Sequence, residues 1–93
     1  MIITSFRHKG LRELHETGKS AKVRPDLRKR ALKCLDAIEA AHAIEDLATP
    51  SLRGHELQGF SPARYAISVS GPWRITFEKD DDKALNVDLE QYH

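Results

Sequence analysis

A single cysteine, Cys34, stands among 93 residues, so no disulfide can close within the chain and no second thiol is present to build a zinc site. Redox or metal staples are therefore not expected, and packing must hold the fold. Only 6% of the residues are aromatic, so the interior must be built mainly from aliphatic side chains. No stretch approaches the ~18 consecutive apolar residues of a membrane-spanning helix. The opening "MIITSFRHKG" also lacks the apolar segment and small-residue cleavage site of a signal peptide. A cytoplasmic protein with no membrane partner is expected. Ser/Gly linkers, low-complexity tracts and repeats are missing too, so residues 1–93 are expected to form one domain. A chain this short buries only about 60–65% of its unfolded surface, which keeps the core modest.

What is present is unevenly distributed. The net charge is +1, yet residues 1–33 carry ten Lys and Arg against three acidic residues, a net +7, and residues 34–93 carry five against eleven, a net −6. Segregated basic charge is the footprint of a polyanionic partner, whereas ordinary solvated helix faces would give the same count with no partner at all. Charge alone leaves both readings open.

The order of elements is legible from periodicity. "IITSF" is β-branched and aromatic and reads as a short strand. In "HKGLRELHETG", Leu11 and Leu14 share a helical face and Gly18 suits a left-handed C-terminal residue. Pro25 fits the first turn of a second helix, along which Leu27, Ala31, Leu35, Ile38 and His42 recur at helical spacing while Arg28, Lys29, Arg30 and Lys33 fall mostly outside the stripe. One further turn in "AIEDLATP" should stop before Pro50. Beyond it the period becomes two: Tyr65, Ile67 and Val69, then Trp73, Ile75 and Phe77, then Leu85, Val87 and Leu89. "SGP" and "KDDDK" are short enough for hairpins. The expected fold is α+β, β-α-α-β-β-β, a mainly antiparallel sheet with two helices on one face and the other face open. Alternation places Arg74 and Thr76 on that open face.

The stretches "SFRHKGL", "LRGHELQG", "YAISVSGPWRITFE" and the closing "QYH" together resemble the HigB-type toxins of bacterial type II toxin–antitoxin systems, a branch of the RelE/ParE superfamily. The resemblance runs nearly end to end, and the start, the "WRITF" strand and the terminal "YH" are its most specific parts. It implies a RelE/ParE-like fold and a ribosome-dependent mRNA endonuclease that inhibits translation. It also implies a cleavage site made of a histidine, an arginine, a tyrosine and a terminal histidine, which match His55, Arg74, Tyr92 and His93 here. Two positions depart from the family pattern: Gln58 stands where a lysine is common, and Gln91 where an aspartate usually precedes the final tyrosine. Glu90 is adjacent, but one residue along an extended segment turns a side chain to the opposite face. Weaker activity, or chemistry resting wholly on the histidines, are the two outcomes left open.

These residue types suit RNA cleavage without metal or cofactor. Attack by a ribose 2′-OH on the adjacent phosphate needs a base, a cation for the phosphorane oxygens and an acid for the leaving 5′-oxygen. Histidine, with an unperturbed pKa of about 6.5, serves both proton transfers, and arginine offers a permanently charged bidentate clamp. His55 and His93 are expected to share the acid and base roles, with Arg74 as clamp and Tyr92 as hydrogen-bond donor or stacking surface. The sequence does not say which histidine is the base. Structural roles compete with each assignment: His55 as a turn cap, Arg74 as half of a surface ion pair with Asp88 or Glu90, Tyr92 as an edge aromatic packed under the helices. His8, His15 and His42 are expected to be structural, His42 as part of the packed helical stripe, and Asp80, Asp81 and Asp82 to form a solvated turn. Lys19, Lys22, Arg24, Arg28, Lys29 and Arg30 are the candidate surface for ribosomal RNA or for an acidic antitoxin, which the family resemblance implies is a HigA-like helix-turn-helix protein. Two other functions fit the same superfamily: a ParE-like poison of DNA gyrase, and a catalytically impaired RNA- or protein-binding module.

Overall fold

The structure, a computed structural model, describes residues 1–91. Strand β1 is only Ile2–Ile3. Helix α1, Lys9–Thr17, starts at a side-chain cap: His8 Nδ1 accepts the Leu11 N–H at 3.0 Å, satisfying one of the donors that a helix start leaves without a partner. It ends at Gly18, whose φ of 80° lets its N–H turn back to the Leu14 carbonyl. Helix α2, Pro25–Ala40, begins on the expected proline and buries Leu27, Ala31, Cys34, Leu35 and Ile38. His15 has its ring centroid 5.4 Å from that of Phe6, the planes tilted by 45°, and its Nε2 3.1 Å from Glu39 Oε1.

His42 is not part of the buried stripe. The helix stops at Ala40, Ala41 turns extended, and His42 is exposed. The reason lies four residues ahead: the Asp46 carboxylate accepts the N–H groups of His42 at 2.8 Å and Ala43 at 3.2 Å, drawing the chain out of the helix and into a short 3₁₀ turn, Ile44–Leu47. The same two bonds, His42 first, hold the Asp46 carboxyl below the usual carboxylate range.

Four strands follow where three were expected: β2, His55–Leu57; β3, Arg64–Ser70; β4, Trp73–Asp80; and β5, Lys83–Gln91. The sheet order is β1-β5-β4-β3-β2, with β1 parallel to β5 and every other pair antiparallel. The β3–β4–β5 meander matches the alternation, and its turns fall at Gly71 and at Asp81, both at positive φ. The additional strand puts His55 in the sheet instead of in a loop.

One register differs from the expectation. Thr76 pairs with Asp88 but Glu78 pairs with Leu85, so β5 holds one residue more than β4 between these pairs. Asn86, at φ 51°, takes the left-handed conformation that asparagine tolerates. Past this bulge the faces exchange: Leu85 lies opposite Glu78 on the open face, and Ala84 takes the core position. The N-terminal segment bonds to the bulged residues. Ser5 Oγ accepts the Asn86 N–H at 2.8 Å, Ser5 O accepts the Val87 N–H at 3.1 Å, and the Val87 carbonyl accepts the Arg7 N–H at 2.8 Å.

The helices pack Leu11, Leu14, Leu27, Leu35 and Ile38 onto Ile67, Val69, Ile75, Phe77, Val87 and Leu89. Each fully buried side chain of this size contributes about 1.5–3 kcal/mol relative to exposure. Cys34 lies in this layer with its S–H directed to the Ser68 carbonyl at 3.4 Å, and burial pushes its thiol pKa up. Among the described residues no helix is long and apolar enough to cross a membrane.

Candidate active site

The open face of the sheet carries a cleft of about 580 Å³ lined by His55, Gln58, Phe60, Ala66, Ser68, Arg74, Thr76, Glu90 and Gln91, with Arg53 at its edge. Strand register explains why these side chains converge. His55 pairs with Ala66, Ala66 with Thr76 and Thr76 with Asp88, one row across four strands. Ser68, Arg74 and Glu90 form the next row on the same face. Two strand spacings and two residues of rise separate the His55 and Arg74 backbones by roughly 12 Å, a gap their side chains reach into from opposite sides. Ala66 and Ser68 are small, which is why the floor between them is low.

His55 is held by the segment before it. Gly54 N–H donates to the Leu47 carbonyl at 2.8 Å and Ser68 N–H to the Leu52 carbonyl at 2.7 Å, fixing residues 52–54 against the 3₁₀ turn and β3. Arg53 adopts a left-handed φ of 52°, and its carbonyl lies 2.8 Å from His55 Nδ1. A carbonyl only accepts, so Nδ1 carries the proton and, in the neutral ring, Nε2 carries the lone pair. The exposed nitrogen is thus the one prepared to take a proton. A methyl group on Gly54 would meet the Leu47 carbonyl oxygen at 2.6 Å and its carbon at 2.8 Å. Gly54→Ala is therefore expected to destabilise the protein by about 1–3 kcal/mol, read as a lower urea midpoint at unchanged slope. An unchanged midpoint would mean that the segment yields without cost.

Beneath the cleft runs a polar chain that sequence reasoning missed. Arg64 is only 5% exposed. Its Nη1 donates to Glu78 Oε2 at 3.0 Å and its Nη2 to Thr76 Oγ1 at 2.8 Å and to the Asn86 carbonyl at 3.3 Å. Thr76 Oγ1 in turn donates to Glu90 Oε2, and Asn86 Nδ2 donates to Glu78 Oε2 at 2.9 Å. Glu90 is therefore held on the cleft face opposite Arg74, while Gln91 pairs with Trp73 at the rim. Alternation along β3 and β4 does mark Arg64, Thr76 and Glu78 as sharing this face, but it does not mark them as bonded to one another.

Over residues 4–93 the chain matches the protein family described as the RelE-like toxin of the type II toxin–antitoxin system HigB. The chain belongs to this family of HigB-like toxins. A curated relative, the Endoribonuclease HigB of Proteus vulgaris, is 35% identical over 92 residues, covering 99% of this chain and all of the relative. In this family member the described structure brings His55, Arg74, Gln58, Glu90 and Gln91 to one cleft. Tyr92 and His93 lie outside the described residues. The basic candidates divide by environment. Lys19, Lys22 and Lys29 are exposed. Arg24 is also exposed, pairs with Asp26 at 2.9 Å and lies 5.9 Å over the Trp73 ring. Arg28 and Arg30 are half-buried and hold the fold: Arg28 Nε donates to the Val23 carbonyl, and Arg30 donates to Val69 O at 3.2 Å and Ser51 O at 2.7 Å.

Proposed function

We propose that this chain is the toxin of its toxin–antitoxin pair and acts as an endoribonuclease on messages being translated at the ribosome. The observation that carries the reading is His55, its Nδ1 tied to a carbonyl and its Nε2 free to exchange a proton, facing the same cleft as Arg74. Endoribonuclease is also the named activity of the relative that matches end to end.

In the proposed reaction the 2′-oxygen forms a bond to phosphorus and the P–O5′ bond breaks, leaving a 2′,3′-cyclic phosphate and a 5′-hydroxyl. One histidine removes the 2′-OH proton and the other gives a proton to O5′. His55 and His93 fill these roles, and Arg74 stabilises the charge that develops on the phosphorane oxygens. Glu90, oriented by Thr76, supplies a carboxylate on the cleft face where the family's aspartate position holds Gln91. Gln58 offers a neutral hydrogen bond at the cleft where relatives offer a lysine. The exposed Lys19, Lys22, Arg24 and Lys29 contact phosphates of ribosomal RNA, and that attachment weakens steeply with salt. The antitoxin of the pair is a HigA-like helix-turn-helix protein.

Primer extension on one translated message after induction tests the reading. Cuts in the wild type that vanish in Arg74→Ala are expected. Intact messages with DNA-damage signalling would instead favour a gyrase poison, and intact messages with no such signal a binding module.

A further inference from the structure

Phe60 is out of place in the cleft. It is 52% exposed, and among the described residues only Ile2, at 59%, is another exposed large apolar side chain. Ile2 lies on β1 and Phe60 in the turn after β2, and these strands are the two opposite edges of the sheet. The two therefore form no common apolar patch of the kind that marks a protein–protein interface. Phe60 instead lines the same cleft as Arg53, His55, Gln58 and Arg74, a lining to which Glu56 and Glu90 bring carboxylates and Leu57 and Pro72 apolar surface. The turn that presents it is entered through Gly59 at φ 83°, a conformation that brings the chain round at the end of β2. An exposed aromatic face beside cations is the arrangement by which proteins hold single-stranded nucleic acid: cations take the phosphates and the ring takes a base, whose own π-face makes the contact tolerant of sequence.

We propose that Phe60 is the stacking platform for a nucleobase of the message next to the phosphate that is cut, so that the cleft grips its substrate by a base as well as by a phosphate. The proposal rests on the endoribonuclease reading above. Stacking adds a base contact to the phosphate contacts and so strengthens the hold on the bound message in ground state and transition state alike. Because the ring is exposed and contributes nothing to the buried core, it can be altered without unfolding the protein.

Cleavage of a defined translated message by purified full-length protein, measured against the concentration of ribosomes carrying that message, provides the test. Phe60→Ala is expected to raise the half-saturating concentration about five- to a hundred-fold, the range seen when a base loses its aromatic platform, with little change in the maximal rate. Phe60→Trp should restore tight use of the message. Phe60→Leu, apolar but without a π-face, should behave like the alanine variant. The proposal is overturned if Phe60→Ala cleaves like the wild type, or if leucine restores as fully as tryptophan. It is also overturned if the variants change only neutralisation by the antitoxin, which would make the occupant a protein. A wild type that cuts nothing under these conditions removes the endoribonuclease reading itself, an outcome separate from a wild type that cuts and a Phe60→Ala variant that cuts equally well.

Discussion

His55→Ala is expected to slow cleavage of a translated message by about a hundred- to ten-thousand-fold, the usual loss when a positioned acid or base is removed. The unfolding midpoint should stay where it is, because the ring is exposed and the bond from its Nδ1 to the Arg53 carbonyl joins residues only two apart. The separation of these two measurements gives the experiment its force. A residue that merely capped the turn would leave the rate nearly intact; a residue that transfers a proton would not. Added imidazole should recover part of the lost rate, since the vacated space opens onto the cleft. A loss of less than about tenfold would put His55 outside the proton-transfer steps, because a general acid or base typically contributes about a hundredfold or more. The cleft would then have to work through Arg74 and the residues after Gln91.

Much of this site was legible because one rule, alternation along a strand, places side chains without knowledge of the fold. Trp73, Ile75 and Phe77 are apolar, so Arg74 and Thr76 had to face the other way, and they do. The rule failed where the backbone departs from a regular strand. Alternation sets Leu85 on the core face with Val87 and Leu89, but the left-handed Asn86 inserts a residue and turns Leu85 outward. An asparagine in a strand permits such a bulge without announcing it. Strand β2 was missed for a different reason: His55, Glu56 and Leu57 are too few to set a period, and the strand exists because β3 offers them an edge. His42 fits a helical stripe by spacing alone, and only the Asp46 carboxylate, a competitor for its N–H, takes it out of the helix.

Glu90 makes the same point for function. Its neighbour Gln91 looked like the position that mattered, since relatives place an aspartate there. Register assigns the cleft face to Glu90, opposite Arg74, and sets Gln91 opposite Trp73. Glu90 thus shares the sheet face of Arg74 while Gln91 lines the cleft from its rim, and no property of either residue type shows the difference. What holds Glu90 in that place is Thr76, and what holds Thr76 is a buried arginine from the neighbouring strand.

Arg64→Met should accordingly cost the largest amount of stability of any change on the open face. The methionine fills a similar volume but leaves Glu78 without its closest cation and Thr76 Oγ1 and the Asn86 carbonyl without their donor. Removing one partner of a buried ion pair costs about 3–5 kcal/mol. The lower end, about 3 kcal/mol, applies here, because the Glu78 side chain keeps 18% exposure and retains the Asn86 amide at 2.9 Å and a distant Arg7 at 3.7 Å. Urea unfolding measures the loss. The double variant Arg64→Met with Glu78→Gln should recover part of it, since the stranded charge is gone, and failure to recover would mean that the guanidinium acts mainly through Thr76 and the Asn86 carbonyl. Thr76→Val separates that branch. It should cost about 1–3 kcal/mol, the penalty of a buried group left without its partner, and it also frees Glu90. If the Thr76→Val protein loses cleavage as well as stability and Glu90→Gln loses cleavage alone, then Arg64 reaches the reaction through two hydrogen bonds, and the buried network exists to aim a carboxylate into the cleft.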